Sequence, residues 1–136
     1  MNEFIGTWKL ISFEHMEPDG SVAYPYGRNP VGLLIYDASG HMSVQVMSSD
    51  RAPLSSDDLQ QVGPDEIKQI LEGFTAFFGT YEVNESEAVV IHRVEGHLLP
   101  NSVGKTLKRK YELNGNRLIL RPGADRKVVW ERVSGS

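Results

Sequence analysis

Apolar and polar positions alternate with period two along most of the chain, in short runs separated by turn residues. That is the pattern of half-buried strands. The first run opens at Gly6. Trp8, Leu10, Ser12, Glu14 and Met16 fall on one face, and Lys9, Ile11, Phe13 and His15 on the other. Asp19-Gly20 then reads as a hairpin turn. Runs over residues 31–37 and 41–48, joined at Ser39-Gly40, complete a meander. The period changes after residue 55. Ser55, Ser56, Asp57 and Asp58 suit a helix start, Pro64 suits a first helical position, and Asp65 and Glu66 favour the positive end of the helix dipole. Ile67, Ile70, Leu71, Phe74, Phe77 and Phe78 then share one helical face, with Gly79 as a stop. Strands resume over residues 80–84, 87–95 and 106–113, turn at Asn114-Gly115, and continue over 117–121 and 127–133. Eight evenly spaced strands with a helical insertion around residues 55–78 predict an all-β fold. The expected architecture is an eight-stranded antiparallel up-and-down β-barrel, which leaves no open edge. No repeat or linker divides residues 1–136, so a single domain is expected.

Composition narrows the function classes. The chain has 136 residues with 14 Lys+Arg, 18 Asp+Glu and a net charge of −4. An acidic balance argues against nucleic acid, whose binding rests on counterion release to a basic face, and against docking on anionic membranes. The absence of cysteine excludes disulfides, thiolate zinc sites and cysteine nucleophiles. No secretory pattern opens the chain, and no apolar run approaches the roughly 18 residues of a membrane span. A cytoplasmic location is expected.

Strand alternation also suggests which polar groups face inward. Arg109 falls with Leu107, Tyr111 and Leu113, opposite Lys108, Lys110 and Glu112. A buried guanidinium is costly unless paired, and Glu14, on the face of Trp8, is the candidate partner. The alternative is an arginine at the barrel end that reaches water. His92 alternates with Arg93 and Glu95 and so faces inward, where it is either an acid–base group near a carboxylate or a core histidine bonded to a tyrosine or a carbonyl. Tyr36 and Tyr81 offer lumen hydroxyls. Met42, Val44 and Val46 form an apolar wall, with Met42 the adaptable member, and Val83 and Leu118 form another. Gly6, Trp8, Trp130 and Arg132 are structural candidates at the closing seam, with Arg132 over Trp8 as a cation–π contact. His15, His41 and His97 share no short spacing with His92, so no metal site is expected. No nucleotide-binding or nucleophile-elbow motif is present, and no cofactor is expected. Ile11 and Phe13 lie opposite Trp8 and call for a cover, either the helix or the second subunit of a homodimer. The long stretch 48–63 is a candidate lid.

These residues resemble a known family. Gly6-Thr7-Trp8 is similar to the Gly-x-Trp signature of lipocalins. The succession GTWKLISFE, YPYGRNPVGLLIYDASGHMSVQV, FFGTYEV, IHRVEG, LLPNSVGK, LKRKYELNGNRLIL and VVWERV resembles the lipocalin-like domain family over residues 4–133. The matching positions are Trp8, Pro30, Gly32, Tyr36, Gly40, Arg51, Gly79, Tyr81, His92, Pro100, Gly104, Arg109, Trp130 and Arg132. The resemblance implies an eight-stranded barrel with a helical segment between its third and fourth strands, and a cavity for a small, largely apolar molecule. The chain departs from secreted lipocalins in lacking cysteine pairs and a signal peptide, which argues against an extracellular carrier. The expected function is lumen binding of such a molecule, with a polar or anionic group on Arg109 and with Tyr36, Met42, Tyr81, His92 and Tyr111 around it. One alternative is a cofactor-free isomerase, cyclase or hydrolase working through His92 and Glu14. Another is a packed barrel acting as an interaction or dimerisation domain.

Overall fold

The computed structural model describes residues 2–135. Its elements are β1 (Gly6–Met16), β2 (Val22–Ala23), β3 (Val31–Tyr36), β4 (His41–Met47), α1 (Pro64–Glu72), β5 (Phe74–Asn84), β6 (Val89–His97), β7 (Thr106–Asn114), β8 (Arg117–Arg121) and β9 (Arg126–Arg132), with 3-10 turns at Leu59–Gln61 and Pro100–Ser102. All pairings are antiparallel between neighbours, and β1 pairs with both β3 and β9. Eight strands, β1 and β3 to β9, therefore close into a barrel, as the strand periodicity predicts. The two-residue β2 is an addition to the end of β1. The β7–β8 connection carries Gly115 at φ 61 with Asn114 opposite Arg117. The turn is thus centred on Gly115-Asn116, one residue later than the Asn-Gly signal suggests. Glycine supplies the positive φ that the first central position of a type II′ turn requires.

Two local readings need correction. The first concerns the helix, which is α1 alone. It has Pro64 in its first turn, Asp65 and Glu66 beside it, and Gly73 as its C-cap. Phe74, Phe77 and Phe78 belong to β5, in register with β4 from Met47↔Phe74 to His41↔Thr80. Their spacing fits a helical face, but the pairing with β4 satisfies the backbone and carries Phe77 into the barrel, so tertiary contacts override the local period. Gly79 stands where β5 shifts register against β6, and a Cβ there would overlap the Arg93 carbonyl.

The second correction is at β1. The register against β9 shifts between Leu10 and Ser12. Such a bulge adds one residue and exchanges the faces beyond it. Leu10 opposes Trp130 before the shift, and Phe13 opposes Val128 after it. Phe13 thus packs against the core instead of facing solvent. Glu14 pairs with Lys127 on the outer face and is not the partner of Arg109. Ile11 stays on the surface.

Candidate binding site in the barrel lumen

One end of the barrel is a packed plug. The segment before β1 folds beneath the strands, where the Trp8 indole N–H donates to the Phe4 carbonyl at 3.0 Å. Arg132 donates to the carbonyls of Ile5 and Glu3 at 2.8 and 2.6 Å, and its guanidinium lies 4.2 Å from the centre of the Trp8 ring. Phe4 meets Tyr36 and Tyr111 edge-on at 5.3 and 4.8 Å, and Tyr36 lies 4.6 Å from Tyr81. The Tyr81 hydroxyl donates to the Asp37 carbonyl at 2.8 Å. Met42 is buried in the same cluster. Tyr36, Met42, Tyr81 and Tyr111 are therefore plug residues, and none of them lines the cavity above. Alternation along a strand predicts the face of a side chain but not its height along the barrel axis, which is why these four were expected at the ligand.

Toward the other end the lumen opens into a cavity of about 220 Å³. Its wall is apolar: Leu34 from β3, Val44 and Val46 from β4, Leu120 from β8 and Val128 from β9. Phe13, Tyr26 and Phe77 add aromatic surface, and Phe77 stacks on His97 at 5.2 Å and 4°. Among the described residues, none from 48–63 or from α1 lines this cavity. Several of them border a separate groove that includes Arg51, Glu66 and Ile70. The helix and the long loop thus do not line the lumen.

The polar groups in this wall are few and unusual. His92 and Trp130 are each 2% exposed. His92 Nε2 lies 2.7 Å from the Tyr36 hydroxyl, while His92 Nδ1 and the Trp130 indole N–H have no partner among the described residues. Nearly all buried polar atoms in folded proteins are hydrogen-bonded, so two orphans in one cavity call for an explanation. Burial, reinforced by the Arg109 charge, pulls the pKa of His92 down to about 3, so its imidazole is neutral at physiological pH. Burial pushes the Tyr36 phenol well above its usual range. Arg109 lines the same cavity, with no hydrogen bond or ion pair among the described residues. Burial and the charge of Arg126 hold its pKa below the ordinary arginine value, partly offset by Tyr36.

Comparison with known proteins places this geometry. The sequence pattern of the lipocalin-like domain matches residues 5–134. The chain belongs to the lipocalin-like domain family. A lipocalin-like protein from Bacteroides uniformis shares the fold, with a TM-score of 0.55 and 16% identity over 97% of this chain and 100% of that one. A mutant of the fluorescent protein UnaG aligns over 98% of each chain at 15% identity, with a TM-score of 0.41. Among curated proteins none matches.

Within this lipocalin-like barrel, His92 and Arg109 are the sequence-predicted ligand residues that reach the cavity. Trp130 stands opposite Leu10 at the β1–β9 seam and also lines the cavity, which the seam position alone does not reveal. His97, Arg126, Phe77 and Phe13 were also missed as lining residues. The periodicity puts Phe77 on the helix and Phe13 on the outer face. Arg126 lies at the first position of β9, where alternation has barely begun. Among the described residues, no group of three or more metal-ligating side chains is placed to hold an ion, and no helix is long and apolar enough to cross a membrane.

Proposed function

We propose that this barrel binds one small, largely apolar molecule in its lumen, with the molecule's polar group turned toward Arg109, His92 and Trp130. The observation that carries this reading is that His92 and Trp130, two residues in the wall of one apolar cavity, each hold a buried polar atom without a partner among the described residues. A buried polar atom without a partner costs about 1–3 kcal/mol, and a bound molecule supplies the missing partner. An eight-stranded barrel has room for side chains or for one small ligand, and apolar walls with a few convergent polar groups are typical of small-molecule sites. Acid–base turnover draws less support. Glu14 lies on the outer face, and an imidazole with a pKa of about 3 is a weak base at neutral pH.

The reading is tested by thermal unfolding with a panel of substituted benzenes and short aromatic compounds, each bearing one polar group. A ligand at a hundredfold excess over its Kd stabilises the folded state by about 2.7 kcal/mol, which raises Tm by several degrees. Val44 is buried in the cavity wall. Val44→Phe should fill the lumen, leave the circular dichroism spectrum unchanged and abolish the shift. Absence of any shift in the wild type, or its persistence in Val44→Phe, would contradict lumen binding.

A further inference from the structure

The identity of the cavity's polar atoms narrows the ligand class further, provided the lumen is a binding site as proposed above. The Tyr36 hydroxyl has one acceptor, His92 Nε2 at 2.7 Å. If Tyr36 donates there, the His92 proton resides on Nδ1, the orphaned atom. The opposite tautomer leaves the Tyr36 proton and the Nδ1 lone pair both unused, so the hydrogen-bond pattern favours Nδ1–H. His97 Nδ1 accepts from the Leu99 amide at 2.9 Å, which places the His97 proton on Nε2. The Trp130 indole can only donate, and so can the guanidiniums of Arg109 and Arg126. All five residues line the one cavity. Thr75 and Tyr26 line it too, and among the described residues no Asp or Glu does.

The charge distribution points the same way. The chain carries a net charge of −4, yet this wall holds two arginines. Three arginines on the outer strand faces have carboxylate partners: Arg93 with Glu82 at 2.9 Å, Arg121 with Glu112 at 3.0 Å and Arg117 with Glu131 at 3.5 Å. Among the described residues Arg109 has no such partner, and it is close enough to Arg126 for the two charges to repel. Two cations and three neutral donors without a counter-anion form an incomplete electrostatic unit, which a carboxylate completes with two oxygens and a charge-assisted, bidentate contact.

Volume sets the rest of the molecule. An apolar cavity of about 150 Å³ accepts benzene, and the lumen here measures about 220 Å³. That leaves space for one ring and a short acidic side chain, flanked by the rings of Phe13 and Phe77. We infer that the lumen selects a monocarboxylate whose apolar body is about one substituted aromatic ring, held by Arg109, the His92 Nδ1–H and the Trp130 indole.

The test is titration calorimetry of the purified chain at neutral pH with hydrocinnamate, hydrocinnamamide, phenylpropylamine and pyrenebutyrate. Hydrocinnamate should bind at least tenfold more tightly than its amide, and the amine and the bulky pyrene acid should show no measurable binding. Arg109→Met should bring the acid to within threefold of the amide. Equal affinity of acid and amide in the wild type, or tighter binding of the amine, would overturn the head-group inference and leave lumen binding intact. Tight binding of pyrenebutyrate would overturn the size limit. Failure of both the acid and the amide to bind would remove the lumen-binding reading and this inference together.

Discussion

Replacing Arg109 with methionine should make the unliganded protein more stable, by about 1–2 kcal/mol, because an unpaired, largely buried cation costs more than an apolar side chain of similar length. Arg109 stands mid-strand on β7 opposite Val90, which is fully buried, and among the described residues it has neither a hydrogen bond nor an ion pair to lose. The repulsion from Arg126 disappears with it. Most core substitutions in a well-packed protein destabilise, so a gain here marks a group kept for what it binds. Urea unfolding at neutral pH, with the slope of the transition compared as a check on two-state behaviour, measures the difference. A loss of more than about 1 kcal/mol, on the scale of ordinary substitutions, would show that Arg109 holds the barrel together.

The second large effect is a pH dependence carried by His92. Its pKa is about 3 in the folded protein, lowered first by burial and then by the Arg109 charge, against about 6.5 in an unfolded chain. Between those values the unfolded state takes up a proton that the folded state refuses. Stability therefore falls as pH drops through this window, by about 1.4 kcal/mol per pH unit. Relative to neutral pH, the loss from this one group reaches about 2 kcal/mol by pH 5. His92→Gln lacks the titrating ring but keeps an amide that can accept from Tyr36. Its stability at neutral pH should be lower than wild type, and the gap should close by about 2 kcal/mol on acidification to pH 5. Carboxylates shared by both proteins cancel in the difference. Parallel stability profiles for the two proteins would show that His92 is not buried as a neutral base.

Much of this architecture was legible in the alternation of side chains. The runs that became β3, β4, β7 and β8 were placed within a residue or two of their structural bounds, because in each one face is buried and the other wet. Arg109 and His92 were found inward by the same rule, which depends only on the pleat of the strand. Other features lay beyond that rule. The apolar positions from Ile67 to Phe78 satisfy a helical spacing, yet the chain switches to β5 after Gly73 because β4 offers a backbone to pair with. The bulge between Leu10 and Ser12 exchanges two faces without a glycine or proline to signal it, so Phe13 and Glu14 were assigned to each other's side. Height in the barrel is set by strand stagger, which depends on the whole closed sheet. Tyr36, Tyr81 and Tyr111 therefore look equivalent to Trp130 in sequence, although they close the plug while Trp130 faces the cavity.

The central claim is that a ligand supplies the partner missing from the lumen. The chain has two tryptophans, and their indole N–H groups differ: that of Trp8 donates to the Phe4 carbonyl, whereas that of Trp130 is unpartnered. Proton–nitrogen correlation spectra of the uniformly nitrogen-labelled protein resolve both, with Trp130→Phe assigning the peaks. On titration with hydrocinnamate the Trp130 indole resonance should shift saturably while that of Trp8 stays in place. A spectrum in which the Trp130 resonance does not move, or in which only that of Trp8 does, would contradict the lumen as the binding site.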